Sequence, residues 1–270
     1  MPPHTASPRI KMNIRFSYLL FGVILTYFSS YLPDLSGVVG IEGTRISSLV
    51  AFGSLNGMLF GPFWGAIVSG TGMFLHELNT PGYISKNAFS MLSLFFIMLC
   101  SVVSGLIVQR QHRMAALIYG FLLFLWYSTD VGREAYYYPW FHIITLIAFL
   151  VVGKYVVESI HSKTFIFIYL FFAALLGVLS DHIAGSIAYS YIYDLPASAF
   201  SSVVLLYPME RTILALSATL IAFFILAIYR DVVLSSDNFK EDADRLKSQE
   251  LEEYLNRDVM QIIENEGHER

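Results

Sequence analysis

The chain has 270 residues, 56% of them hydrophobic and 14% charged, with a formal net charge of −4. That balance, with no block of Lys and Arg, excludes a nucleic-acid-binding protein and points to an integral membrane protein. The single cysteine, Cys100, excludes an intramolecular disulfide and any multi-cysteine metal site, and inside an apolar run it reads as a small packing residue.

Residues 1–15 are polar, and Arg9, Lys11 and Arg15 precede the first apolar run. No small-residue cleavage site follows that run cleanly, so a cytoplasmic N-terminal segment and a retained first helix are expected. Apolar segments then run over Phe16–Tyr31, Ile46–Gly61, Phe63–Leu78, Phe89–Gln109, Ala115–Thr129, Tyr138–Val157, Thr164–Ile192 and Pro208–Tyr229. A helix rising about 1.5 Å per residue needs roughly 20 apolar residues to cross the hydrocarbon layer. A lipid-facing backbone must also satisfy its own hydrogen bonds, so these runs predict helices rather than barrel strands.

The second and third segments are contiguous, and Gly61-Pro62 either kinks one long helix or divides two short ones. The positive-inside rule separates the options. With two segments there are eight spans, and Arg110/Arg113 and Lys154/Lys163 join the basic N-terminus and Arg230 in the cytoplasm. With one, those pairs face outside. The sequence thus predicts an all-α polytopic bundle of 6–8 transmembrane segments over residues 16–230, with eight preferred. Both termini then lie on the cytoplasmic side of the cell membrane. Trp126, Tyr127, Tyr136, Tyr137, Tyr138 and Trp140 flank the outer loop near Asp130 and read mainly as an interfacial aromatic belt.

Gly53, Gly57, Gly61, Gly65 and Ser69 recur every four residues. Lipid tails are as apolar as leucine, so helices associate in a bilayer through close approach at small residues, and this ladder predicts tight packing. Gly22, Thr26 and Ser30 form a similar row, as do Ala173, Gly177, Asp181 and Gly185.

From Asp237 onward the chain carries 11 acidic and 5 basic residues, which leaves 10 acidic and 12 basic in residues 1–236. Residues 231–270 read as an acidic cytoplasmic helical tail, started by Ser235, Ser236 or Asp237. Leu246, Leu251, Leu255, Val259 and Ile262 give it a narrow apolar stripe. The stripe meets a protein surface, pairs with itself, or belongs to a solvated tail.

Ionisable groups inside a bilayer are costly, roughly 2.5–3.5 kcal/mol each at a helix centre on insertion scales. The candidates are His76, Glu77, His142, Asp181, His182, Glu210 and Arg211, with the last two just after Pro208 at the start of the final segment. The eight-span topology sets all of them in the outer half, which suits a polar site open to the outside. For Asp181, His182, Glu210 and Arg211, a solute site and mutual neutralisation stand side by side. For His76, Glu77 and His142, an interfacial position is the simpler reading.

The segment LNGMLFGPFWGAIVSGTGMFLHEL resembles the substrate-binding S components of energy-coupling factor transporters, which carry a Gly-Pro-x-x-Gly-Ala stretch leading to a polar residue. FSMLSLFFIMLCSVVSGLIVQRQ and YPMERTILALSATLIAFFILAIY resemble the following and last helices of that family. The likeness covers residues 12–113 and about 164–230. It implies capture of a small nutrient from outside, with energy from a separate transmembrane coupling protein and ATPase subunits. It also implies a pocket drawing on the loop Asp34–Arg45 with Asp181, His182, Glu210 and Arg211, and a coupling face at Gly22, Thr26 and Ser30. Two features depart from the family: eight segments where six are usual, and the acidic tail.

No P-loop, HExxH, GxSxG or paired-aspartate metal motif occurs, so ATP use falls to partners and no cofactor or resident metal is expected. The alternatives are a membrane scaffold or assembly protein acting through its tail, and, as the minor reading, an intramembrane enzyme using Cys100, His182 and Arg211.

Overall fold

The computed structural model describes residues 16–32, 49–79, 88–158 and 163–228. The loop Asp34–Arg45, residues 1–15 and the acidic tail 231–270 lie outside the described residues. Every described element is a helix: α1 (Phe16–Ser29), α2 (Leu49–Asn79), α3 (Ala88–Val108), α4 (His112–Ser128), α5 (Asp130–Glu134), α6 (Trp140–Glu158), α7 (Lys163–Ile192), α8 (Ala197–Ser202) and α9 (Leu206–Ile228). Among the described residues, four helices are long and apolar enough to cross a membrane, over Leu49–Asn79, Met91–Val108, Thr164–Ile192 and Leu206–Leu226. Phe16–Ser29 and Trp140–Val152 are shorter apolar helices. The contacts below all fall within one unit, Asn13–Phe224; of the second unit, Met1–Met12 with Ile225–Arg270, only the last turn of α9 is described.

The side chains are sorted in the manner of a membrane bundle. Phe16, Phe21, Phe63, Phe95, Phe121, Phe124 and Phe224 face outward, while Thr26, Ser54, Asn56, Ser69, Ser101, Ser104 and Thr219 are buried. Interhelical hydrogen bonds and close packing replace the hydrophobic drive that lipid cannot supply.

The glycine ladder folds back on itself. Gly61 breaks α2 with φ 79° and ψ 178°, a backbone state that is essentially glycine-only. Pro62 follows at the start of a new helical turn, where its missing N–H is not needed. The two halves then run side by side as a hairpin. Asn56 Nδ2 donates to Ser69 Oγ at 2.9 Å, and a Cβ on Gly65 would stand 2.7 Å from the Asn56 carbonyl oxygen. Thirteen residues of straight helix would separate Asn56 from Ser69 by about 20 Å. Gly57 and Gly65, one turn either side of the break, thereby face each other.

α3 seals this hairpin. Gly53 meets Ile97, Gly57 meets the Ser101 backbone and Pro62 meets Gly105, so the first half runs alongside α3 in the same direction. Gly70 meets Met98, so the second half runs the opposite way. Ser101 Oγ donates to the Gly53 carbonyl at 2.7 Å and lies 2.7 Å from Ser69 Oγ, tying both halves to one α3 side chain. Leu49, Met73 and Ile97 close the far end as a small apolar core.

α1 lies along the second half of the hairpin. Gly22 packs on Phe60 and Val68, and Gly72 packs on Thr26. Thr26 Oγ1 accepts from Asn56 Nδ2 at 2.7 Å, and Ser30 Oγ pairs with His76 Nδ1 at 2.7 Å. The row Gly22, Thr26 and Ser30 is therefore filled from within the chain. Of the two roles expected for this row, helix packing and a partner interface, the contacts seen here are packing contacts with α2. Asn56 thus ties the first half of α2 to α1 and to the second half of α2. Asn56→Ala is expected to cost about 1–2 kcal/mol at the upper range of membrane interhelical hydrogen bonds, read as a lower unfolding temperature in detergent.

The remaining helices alternate in direction. His112 meets Phe149 and Tyr119 meets His142, so α4 and α6 are antiparallel. Tyr169 donates to the Ile107 carbonyl, while Phe89 meets Tyr189, so α7 opposes α3. Tyr207 meets His182 and Phe223 meets Phe167, so α9 opposes α7. Gly177 seats α7 against Ser104, Cys100 and Ser54, as the row Ala173, Gly177, Asp181 and Gly185 anticipates.

Two short helices join the long ones at the end opposite the α3–α4 turn. Thr129 caps α5 by accepting from the Gly132 N–H at 2.8 Å, and Pro196 precedes α8. α9 begins at Leu206, two residues earlier than expected, and Pro208 stays within its first turn, where a missing N–H leaves no bond unmade.

Candidate functional site

α6, α7 and α9 meet beneath α8, and there the polar residues of the apolar runs converge. Asp181 and Arg211 face each other across α7 and α9, with Oδ2 3.8 Å from Nη1. Their side chains are 14% and 9% exposed. At that separation the pair is an ion pair without a hydrogen bond. Arg211 Nε is buried with no acceptor, and neither side chain makes a hydrogen bond among the described residues. A guanidinium carries five N–H donors in a fixed fork, so this one is left largely unsatisfied.

Beside the pair runs a chain of imidazoles and phenols. Tyr138 Oη lies 3.0 Å from Ser186 Oγ and 3.1 Å from His182 Nε2. His182 Nδ1 lies 3.3 Å from His142 Nε2, and the two ring planes are nearly parallel, 13° apart. Each imidazole holds one proton when neutral, so each nitrogen–nitrogen or oxygen–nitrogen contact in the chain takes one donor and one acceptor. Tyr207 lies against His182 at 4.7 Å between centroids and donates from Oη to the Tyr138 carbonyl at 2.8 Å. Arg211 stands within electrostatic reach of Tyr138, His142, His182 and Cys100. Glu210 is buried next to Arg211, has contacts of its own, and is within electrostatic reach of Tyr138.

α8 covers this group. Phe200 packs on Trp126 and Tyr138, Tyr137 Oη donates to Ser201 Oγ at 2.6 Å, and Trp140 Nε1 donates to the Val204 carbonyl at 3.1 Å. Trp126 Nε1 is a further buried donor with no acceptor.

Of the residues singled out in the sequence, Asp181, His182, Glu210 and Arg211 come together. His76 stands elsewhere, turned to Ser30 and the Tyr31 ring on α1. Glu77 is buried on α2, and among the described residues neither of its carboxylate oxygens has a hydrogen-bond partner. His142 and Glu77 are both buried within the bundle, and His142 is part of the site. Of the residues read as a belt, Tyr136, Tyr137 and Trp140 are exposed, whereas Trp126 and Tyr138 are buried. Tyr207 and Ser186 are site residues that the sequence did not mark. Cys100 is wholly buried, with Sγ 3.6 Å from the Val50 carbonyl, as a packing residue would be.

The chain is similar to an uncharacterized protein of Methanocaldococcus jannaschii, MJ0923. The two are 24% identical over 256 residues, covering 93% of this chain and 82% of that protein. No family model and no solved structure matches.

Proposed function

We propose that this protein is a membrane-embedded capture subunit that takes a small solute from the outer side for import. Separate coupling and ATPase subunits supply the energy, as the likeness to energy-coupling factor S components implies. The observation that carries the reading is the Asp181–Arg211 pair. Two largely buried opposite charges that make no hydrogen bond among the described residues are poorly satisfied by the chain itself and well suited to a polar ligand. The wall of Tyr138, His182 and Tyr207 supplies the apolar and aromatic surface that a small-molecule site uses alongside a few placed polar groups.

The alternating helix directions support eight crossings, with the α2 hairpin counted twice and both termini in the cytoplasm. The site then opens outward and the α3–α4 turn faces inward. In a Cys100→Ala background, Asp194→Cys is expected to react with an impermeant maleimide on intact cells and Arg110→Cys only after permeabilisation. The reverse pattern at both positions would mean that the bundle sits in the opposite orientation, with an inward-facing site.

The capture reading itself is tested by deletion. Loss of the gene is expected to abolish uptake of one nutrient class, with uptake restored by the wild-type chain and not by Asp181→Ala or Arg211→Ala. Restoration by both variants, with failure of a chain truncated at Ser235, would instead favour a scaffold acting through the tail.

A further inference from the structure

We infer that the solute is a zwitterion of the amino-acid type, its carboxylate held by Arg211 and its ammonium by Asp181. This deepens the capture reading and rests on it. The argument starts from charge. Asp181 and Arg211 are opposite and adjacent, 3.8 Å apart. A simple anion drawn to Arg211 would be repelled by Asp181, and a simple cation drawn to Asp181 would be repelled by Arg211. A ligand bearing both charges a short distance apart meets each with its opposite and leaves the local charge unchanged, which limits the desolvation penalty of a buried site.

Geometry points the same way. Among the described residues the guanidinium makes no hydrogen bond, and its buried Nε has no acceptor. Nε–H and a neighbouring Nη–H form the parallel pair of donors that matches the two oxygens of a carboxylate. Asp181, acceptor-only when ionised, likewise accepts no hydrogen bond among the described residues. It matches an ammonium, which has donors and no acceptor. Tyr138 and His182 stand within electrostatic reach of Arg211, and Tyr207 packs on both, so the surroundings of the pair are aromatic. Glu210, the other buried acid in the group, has an interaction of its own.

The test is a thermal-shift and calorimetric screen of the full chain in detergent. The ligands are the proteinogenic L-amino acids, and each hit is followed by its amine lacking the carboxylate and its acid lacking the amine. At least one amino acid is expected to bind, with both truncated analogues weaker by about tenfold or more, as loss of one charge-assisted contact implies. Arg211→Lys keeps the charge but not the fork, and is expected to weaken the amino acid and the amine-free acid while sparing the carboxylate-free amine. Asp181→Asn is expected to do the converse. Circular dichroism and the unfolding temperature confirm that each variant is folded. Two results overturn the inference: no amino acid binding at millimolar concentration, or analogues binding as tightly as their parents. Either of these, with a different solute co-purifying with the wild type and lost in Asp181→Ala, would leave the capture reading standing. An empty chain together with unchanged nutrient uptake on deletion would remove both.

Discussion

Arg211→Ala is expected to be among the most destabilising single substitutions in the chain. Removing one partner of a buried ion pair leaves the other uncompensated, typically at about 3–5 kcal/mol. Asp181 would remain as a largely buried carboxylate with no cation at 3.8 Å. The double variant Asp181→Ala/Arg211→Ala removes both charges and is expected to recover much of that loss. Unfolding temperatures of the wild type, the two single variants and the double variant, in one detergent, form the cycle that measures the coupling. Additive losses would show that the two charges do not act as a pair.

Gly57→Leu is expected to prevent the α2 hairpin from seating. A Cβ at Gly57 would land on the Ser101 carbonyl and backbone of α3, atoms that cannot rotate away as a side chain can. Gly65, opposite, has the Asn56 carbonyl oxygen and the Gly57 Cα within 2.8 Å of its own Cβ position. Overpacking typically costs about 1–3 kcal/mol and more where backbones collide, so loss of monodisperse folded protein is the expected readout. Gly120→Ala is the control. Its Cβ position has nothing within 4 Å. Replacing a helical glycine by alanine is worth up to about 1 kcal/mol in the favourable direction. Size-exclusion profiles and unfolding temperatures should therefore separate the two, and equal behaviour would contradict the packing described for the hairpin.

Much of this architecture was legible because the apolar runs and their punctuation are physical constraints on any membrane chain. Gly61-Pro62 announced a break, and the positions of Arg110 and Arg113 favoured a reversal over a mere kink. Asn56 reaching Ser69 at 2.9 Å is that reversal in coordinates. The short helices α5 and α8 escaped notice because five or six residues of mixed polarity carry no periodic signal. Thr129, with Gly132 three residues on, was the one local cue to α5.

At the site, charge was the readable signal. Asp181 and Arg211 stood out because an ionisable group in an apolar run demands a reason. Tyr138 and Tyr207 did not, and His142 was noted but read as interfacial, because an aromatic or histidine near the end of a span looks the same whether it faces the headgroups or a neighbouring helix. Trp126 and Tyr138, read as belt residues and found buried, illustrate that ambiguity. The row Gly22, Thr26 and Ser30 shows a related limit. Spacing by four tells that a helix packs closely, and says nothing of whether the partner is another chain or, as here, α2.

The capture account is tested most directly by native mass spectrometry of the full chain released gently from its own membranes. The account predicts a bound small molecule, retained by the wild type and lost in folded Asp181→Asn and Arg211→Lys variants. A chain that emerges empty from membranes still competent for uptake, or a ligand that both variants retain, would contradict it.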